Sequence, residues 1–441
     1  GLNEAGDEML GNTGHGIWIT NGATSNTVGG TVAGTKNYIS GNTGAGVFMD
    51  TGAGINTVSG NTIGLGSDGL TDFGNLSHGV FTNTGNNTIG GTTVNERNVL
   101  SGNTGDGIHI ATGGDTNTIL GNYIGLDEGG TTDRGNDGSG IEVASDGNLI
   151  GGTTVTARNI VSGNTLDGVT VSAGTGNSIL GNHIYSNTDL GIDLSGGTED
   201  GFGVTANDVG DGDAGINNLQ NFPVLTEVDI DSPTQITLSG TIDTDGLNQD
   251  YRIEFFRNTI ATGQDGSGQG EGEDYLGFVT VTTDGSGDAT FSSTLTATVA
   301  AGEFITAVAT EDLGSGNYGD TSEFGLNVTA AAVNDPPVAA DDRPGLVFDG
   351  VDDFVQLGSD ASLEMTTTMT MEAWFRPTSF PSSSSVLILN KEGEYEVGLS
   401  PDGNIRWAFA NTDPGWSWHD TGHVATLNEW THVAVTHNNG T

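Results

Sequence analysis

Three stretches of the chain, NYISGNTGAGVFM from Asn37, NVLSGNTGDGIHI from Asn98 and NIVSGNTLDGVTV from Asn159, recur at an interval of 61 residues. Such a period constrains the fold more than any motif inside it, because each unit must bury its apolar face against the next. A Gly-apolar-x-apolar unit occurs twice per period, led by Gly16, Gly46, Gly79, Gly107, Gly140, Gly168 and Gly191. Two Asn-x-apolar runs follow, one from Asn26, Asn56, Asn87, Asn117, Asn148 and Asn177, the other from Asn37, Asn61, Asn98, Asn122, Asn159 and Asn182. Three short strands per coil, separated by Asn and Gly turns, predict a β-solenoid. The Asn columns are expected to tolerate left-handed turns and to hydrogen-bond along the stack.

Side chains alternate across a strand, so the pattern also assigns the core. Ile17, Val47, Val80, Ile108, Ile141, Val169 and Ile192 should form one inward column. Val28, Val58, Ile89, Ile119, Ile150 and Ile179 should form a second, and Ile39, Ile63, Leu100, Ile124, Val161 and Ile184 a third. Extra residues after GG and after IGL should project as loops. Lys36, Arg97 and Arg158 share one position of the period, which suggests a role in the scaffold.

The repeated NxIxGN and GIxI pattern over residues 1 to about 200 resembles the right-handed parallel β-helix, or pectin-lyase-like, family. That resemblance implies a fold that hosts lyases, hydrolases, tail-spikes and adhesins, so activity must be argued from the site. It also implies that substrate lies across an outer strand face. Here the outward column is Trp18, Phe48, Phe81, His109, Glu142, Thr170 and Asp193. A carbohydrate-binding reading makes Trp18, Phe48 and Phe81 a stacking platform for sugar rings. An enzymatic reading adds His109 and Glu142 as an acid/base pair. The plainer reading is ordinary variation on an exposed face. Lyases of this family neutralise a uronate with Arg or Lys, and this half offers only Lys36, Arg97, Arg134 and Arg158. No clustered Asp pair matches the family's hydrolases.

The chain carries 57 Asp and Glu against 10 Lys and Arg, a net charge of −47. That balance repels phosphate backbones and anionic lipid, which argues against nucleic-acid binding. It favours Ca²⁺, whose preferred donors are carboxylate and carbonyl oxygens. Asp208, Asp211 and Asp213, with Asp200 and Asn207 nearby, crowd a Gly-rich segment that could bind Ca²⁺ or form a solvated acidic cap. The spacing is not that of an EF-hand. There is no cysteine, so disulfides and thiolate chemistry are excluded. No run of 18 or more apolar residues predicts membrane insertion.

From about residue 216 the period gives way to alternating runs such as TQITLSGTI, YRIEFFRN and EFITAVATED. Their spacing predicts an antiparallel β-sandwich over 216–330. The stretch resembles bacterial immunoglobulin-like surface modules, which implies a spacer. Residues 331–344 read as a Pro/Ala/Asp linker. Residues 345–441, through FDGVDDFV and EWTHVAVT, resemble a laminin-G-like, concanavalin-A-type jelly roll, with closing strands expected beyond Thr441. In this domain Trp374 and Trp430 are expected in the core. Trp416 and Trp418, in the loop NTDPGWSWHD, either stack on a sugar or fold over the sandwich edge. Asp349, Asp352 and Asp353 are expected to shape the FDGVDD turn, with Ca²⁺ as the alternative.

The expected fold is therefore all-β: β-helix with an acidic cap over 1–215, sandwich over 216–330, linker, then jelly roll. The expected function is adhesion or carbohydrate binding, without catalysis, by a fragment of a secreted or surface-attached bacterial protein. Its partners would be polysaccharides or glycans of a host or neighbouring cell. The alternatives are a polysaccharide lyase or glycoside hydrolase, and a purely structural stalk.

Overall fold

A computed structural model describes the chain except residues 33, 260–265, 333–337, 340–345, 349–353, 356–367, 383, 392–393, 410–416 and 439–441. Asp349, Asp352, Asp353, Trp416 and most of the expected linker lie outside the described residues. The 61-residue period winds into a parallel β-helix of three sheets, with two coils per period. One sheet holds seven strands in chain order: Ile17–Ile19, Val47–Met49, Val80–Thr82, Ile108–Ile110, Ile141–Ala144, Val169–Ala173 and Ile192–Leu194. The other two hold six strands each, one from Thr27–Gly29 to Ser178–Leu180 and one from Tyr38–Ile39 to His183–Tyr185.

The registers pair each inward residue with its counterpart one coil on, as in Ile108 with Val80 and Ile141, Ile119 with Ile89 and Ile150, and Ile124 with Leu100 and Val161. Val47, Val80, Ile108, Ile141 and Val169 are fully buried, as are Ile89, Ile119 and Ile124. The Gly that leads each outer strand is required by close approach. A Cβ on Gly107 would lie 2.6 Å from Ile124 Cγ2 and 2.7 Å from the Gly140 carbonyl oxygen.

Three Asn ladders run along the stack, one more than expected. In each, the backbone N–H of one Asn donates to Oδ1 of its counterpart on the next coil. Asn87 to Asn117 (2.8 Å), Asn98 to Asn122 (3.2 Å) and Asn103 to Asn136 (3.1 Å) represent the three. The third comprises Asn42, Asn75, Asn103, Asn136, Asn164 and Asn187. The ladder Asn residues do not themselves take the left-handed turn. In the first ladder the preceding residue does, at φ near +60° for Ser25, Ile55, Asn86 and Thr116; in the other two it does so only at some coils, as at Gly102 (+70°). Asn is used here because one amide both accepts and donates inside the wall, where unpaired groups are costly.

The basic column is scaffold. Arg97 stacks on the Tyr123 ring at 3.9 Å, and Arg158 on Tyr275 of the next domain at 4.0 Å.

An antiparallel sandwich follows. One sheet contains Val224–Ser232, Gln235–Asp243 and Asp288–Leu295, with Ala331–Ala332 added in parallel; the other contains Asp250–Asn258, Asp274–Thr282, Phe304–Gly314 and Asn317–Thr321. It forms one compact unit with the β-helix, Gly1–Phe354. A solenoid's last coil exposes unpaired N–H groups, an edge that invites aggregation. Here side chains near and within the sandwich accept them. Asn177 N–H donates to Asn217 Oδ1 (3.0 Å), Ile179 N–H to Thr321 Oγ1 (2.9 Å) and Gly181 N–H to Glu254 Oε2 (2.7 Å). Ser186 N–H donates to Glu271 (2.7 Å), and Leu194 and Thr205 N–H to Glu323 (3.1 Å each). Phe256, Val308 and Phe324 extend the apolar column into the sandwich.

The second unit, Val355–Thr441, pairs Thr368–Phe375 with Thr431–Asn438 and arranges four strands from Val386–Lys391 to His419–Val424. Met371, Val397, Leu399, Ile405 and Phe409 lie in its core. Trp374 and Trp430 do not: they are 65% and 49% exposed. Met371, Ala373 and Phe375 are the inward residues of that strand, so Trp374 falls on the opposite face, with its ring 4.7 Å from that of His432.

Candidate functional site

Parallel register sets Trp18, Phe48, Phe81, His109, Glu142, Thr170 and Asp193 side by side on the outside of the seven-stranded sheet. Adjacent coils are about 4.8 Å apart, so aromatic rings in this column must meet. Ring centroids are 6.2 Å apart for Trp18–Phe48, 4.9 Å for Phe48–Phe81 and 5.0 Å for Phe81–His109. Trp18–Phe48 and Phe81–His109 lie within 13° of parallel, whereas Phe48 and Phe81 are tilted by 56°. Trp18 is 59% exposed, and Phe48 and Phe81 are partly exposed.

A second column, not singled out from sequence, reinforces this face. The residues before the strand-leading glycines are His15, Ala45, His78, Asp106, Ser139, Asp167 and Leu190. His15 packs 4.7 Å from Phe48, and His78 lies 5.4 Å from Phe81 and 4.4 Å from His109. Several members accept the backbone N–H of the coil above: His15 Nδ1 from Ala45 (3.1 Å), His78 Nδ1 from Asp106 (3.0 Å), Asp106 Oδ1 from Ser139 (2.9 Å) and Asp167 Oδ1 from Leu190 (3.0 Å). The sequence signal was the His-Gly and Asp-Gly pairs recurring at that position.

The aromatic track ends in a polar cluster. His109 Nδ1 lies 2.8 Å from Asp106 Oδ2 and 3.2 Å from Glu142 Oε2, so the expected pair His109 and Glu142 does meet. His78 Nδ1 lies 3.0 Å from the same Asp106 oxygen. Burial works against a charged His109, but hydrogen bonds to Asp106 and Glu142 push its pKa up to about 9. Burial likewise opposes ionisation of Asp106. The His109 hydrogen bond overrides it and holds that carboxyl well below the usual range. Farther along, burial and the neighbouring Asp167 raise Asp193 to about 7. Asp193 and Asp167 line a cavity of about 310 Å³ with Asp189 and Phe202.

Asp208, Asp211 and Asp213 also come together, with one carboxylate oxygen of each within 4.8 Å of the others. Asp211 is buried and accepts the Asn221 N–H (2.9 Å) and Gln220 Nε2 (3.0 Å), while Asp208 and Asp213 are exposed. Burial, with nearby Asp245, Asp208 and Asp213, lifts Asp211 to about 7. In the second unit Trp418 is 36% exposed and lies over Gly398, where a Cβ would be 3.3 Å from its ring edge. His419 stacks on Trp407 at 4.6 Å.

The architecture is that of a modular all-β protein: a parallel β-helix closed by an antiparallel sandwich, followed by a further β-sandwich unit. No helix among the described residues is long and apolar enough to cross a membrane. Residues 349–441 match the concanavalin A-like lectin/glucanases superfamily. No curated protein matches the chain.

Proposed function

We propose that this chain is the non-catalytic, glycan-binding part of a secreted or cell-surface modular protein that adheres to polysaccharide or to the glycans of another cell. The aromatic track carries this reading. Its rings step once per coil, a spacing close to the length of one sugar ring, and so can stack successive residues of a glycan laid along the helix axis. The concanavalin A-like match at 349–441 supplies a second, lectin-like module, to which Trp418 adds a half-exposed aromatic. The net charge of −47 disfavours polyanionic polymers, so the ligands are neutral or amine-bearing glycans. His109, holding its proton between two carboxylates to about pH 9, is ill suited to act as a general base at neutral pH. The immunoglobulin-like sandwich acts as a spacer, and Asp208, Asp211 and Asp213 provide a Ca²⁺ site at its junction with the β-helix. Glycan-array and cell-attachment assays on the full chain test the proposal. Binding to neutral or amine-bearing glycans is expected. A blank array, or release of reducing or unsaturated ends from polymers in a manner abolished by Glu142→Ala, would overturn it.

A further inference from the structure

We propose that His78, Asp106 and His109 bind one divalent transition-metal ion of the zinc class at the end of the aromatic track. This inference does not rest on glycan binding: a chain that takes the metal but no glycan leaves it standing. Three donor atoms from two adjacent coils, one each from His78, Asp106 and His109, lie within 4.8 Å of one another. The carboxylate oxygen is 3.0 Å from one nitrogen and 2.8 Å from the other. A tetrahedral ion with bonds of about 2.0–2.1 Å separates its ligands by little more than this, so a small opening of the cluster admits it.

Hydrogen bonding alone leaves the cluster short of protons. His109 Nδ1 carries at most one hydrogen but faces two carboxylate oxygens, at 2.8 and 3.2 Å. His78 Nδ1 already accepts the Asp106 N–H, so its approach to Asp106 Oδ2 brings lone pair against lone pair. A cation at the centre relieves that contact, at the cost of the Asp106 N–H bond to His78. Two imidazoles and one carboxylate suit zinc and its neighbours and not Ca²⁺, which prefers oxygen donors. The frame is built to hold them: the other Asp106 oxygen is fixed by Ser139 N–H, and His109 is stacked on Phe81. Both imidazoles retain some solvent exposure, and three protein donors leave a tetrahedral ion one position for water or a ligand. Glu142 Oε2, 3.2 Å from the same His109 nitrogen, can accept a hydrogen bond from a metal-bound water.

The same columns supply replacements that the coil already tolerates: Phe at 109, as at Phe48 and Phe81; Ala at 78, as at Ala45; and Ser at 106, as at Ser139. The full chain, stripped with chelator and held in excess Ca²⁺ to occupy oxygen-donor sites, is titrated with Zn²⁺ by calorimetry and with Co²⁺ by visible absorption. Wild type should take one tight equivalent. His109→Phe, His78→Ala and Asp106→Ser should each weaken it by at least about 100-fold while unfolding as cooperatively as wild type without metal. Absence of a tight equivalent in wild type, or the same affinity in His109→Phe, would overturn the proposal.

Discussion

The second Asn ladder allows a quantitative test at Asn122. Its side chain is fully buried. Its Nδ2 donates to the Ile89 carbonyl (2.9 Å) and to Asn159 Oδ1 (3.0 Å), and its Oδ1 accepts from Asn98 N–H (3.2 Å) and Asn98 Nδ2 (3.0 Å). Asn122→Ala removes all four bonds. Each buried polar group left unpaired costs about 1–3 kcal/mol. With two or three such groups the loss should reach about 2–9 kcal/mol, a large share of the stability of an ordinary domain. Asn122→Asp keeps the accepting oxygen but loses the donor and buries a charge, so it should be no milder. Asn26→Ala, at the exposed first coil where Asn26 Nδ2 donates to Asn56 Oδ1 (2.9 Å), should cost only about 1 kcal/mol. Urea unfolding of the full chain, followed through the transition of the β-helix unit, measures all three. A loss below about 1 kcal/mol for Asn122→Ala, or equal losses at positions 26 and 122, would refute the claim that the buried ladders stabilise the stack.

Two further outcomes follow from the titratable groups. Burial raises Glu323 to about 8 and Asp193 and Asp211 to about 7. The folded state therefore binds protons that the unfolded chain has lost, and stability falls as pH rises from about 4 through 8. His109, raised to about 9, acts in the same direction, because its contribution is complete below its unfolded value and disappears as pH passes 9. Thermal unfolding of the β-helix unit should thus occur at lower temperature at pH 8.5 than at pH 5.5; a flat or rising profile contradicts the burial assigned to these groups. Ca²⁺ at 100 times its Kd should stabilise the same unit by about 2.7 kcal/mol, and Asp208→Asn with Asp213→Asn should remove the effect; an equal response in the double variant places the ion elsewhere.

The three inward columns and the outward one were legible in the sequence because side-chain direction has period two and the repeat fixes register. The third Asn ladder was equally periodic but sat within turns such as the GNTG of Asn42 and Asn103, where Asn is easily attributed to turn chemistry alone. The same attribution placed the left-handed angle on Asn instead of on its predecessor, which at Ile55 is a β-branched residue. His78 escaped notice because it belongs to the coil preceding His109: the two are 31 residues apart and adjacent only through the stack. The carboxylates that close the last coil, Glu254, Glu271 and Glu323, could not be read at all, since their partners lie 73 to 129 residues away. Trp374 was misplaced because its bulk suggested the core, while the small Ala373 held the inward position.

The most direct test of the account is the affinity of the full chain for a neutral or amine-bearing polysaccharide, compared with that of the triple variant Trp18→Ala, Phe48→Ala, Phe81→Ala. If each ring contributes about 0.5–1.5 kcal/mol by stacking, losing all three should weaken binding roughly 10- to 1,000-fold. Trp418→Ala, measured alongside, reports the share held by the second unit. An aromatic triple variant that folds and binds as tightly as wild type would contradict the assignment of the outer β-helix face as the glycan track.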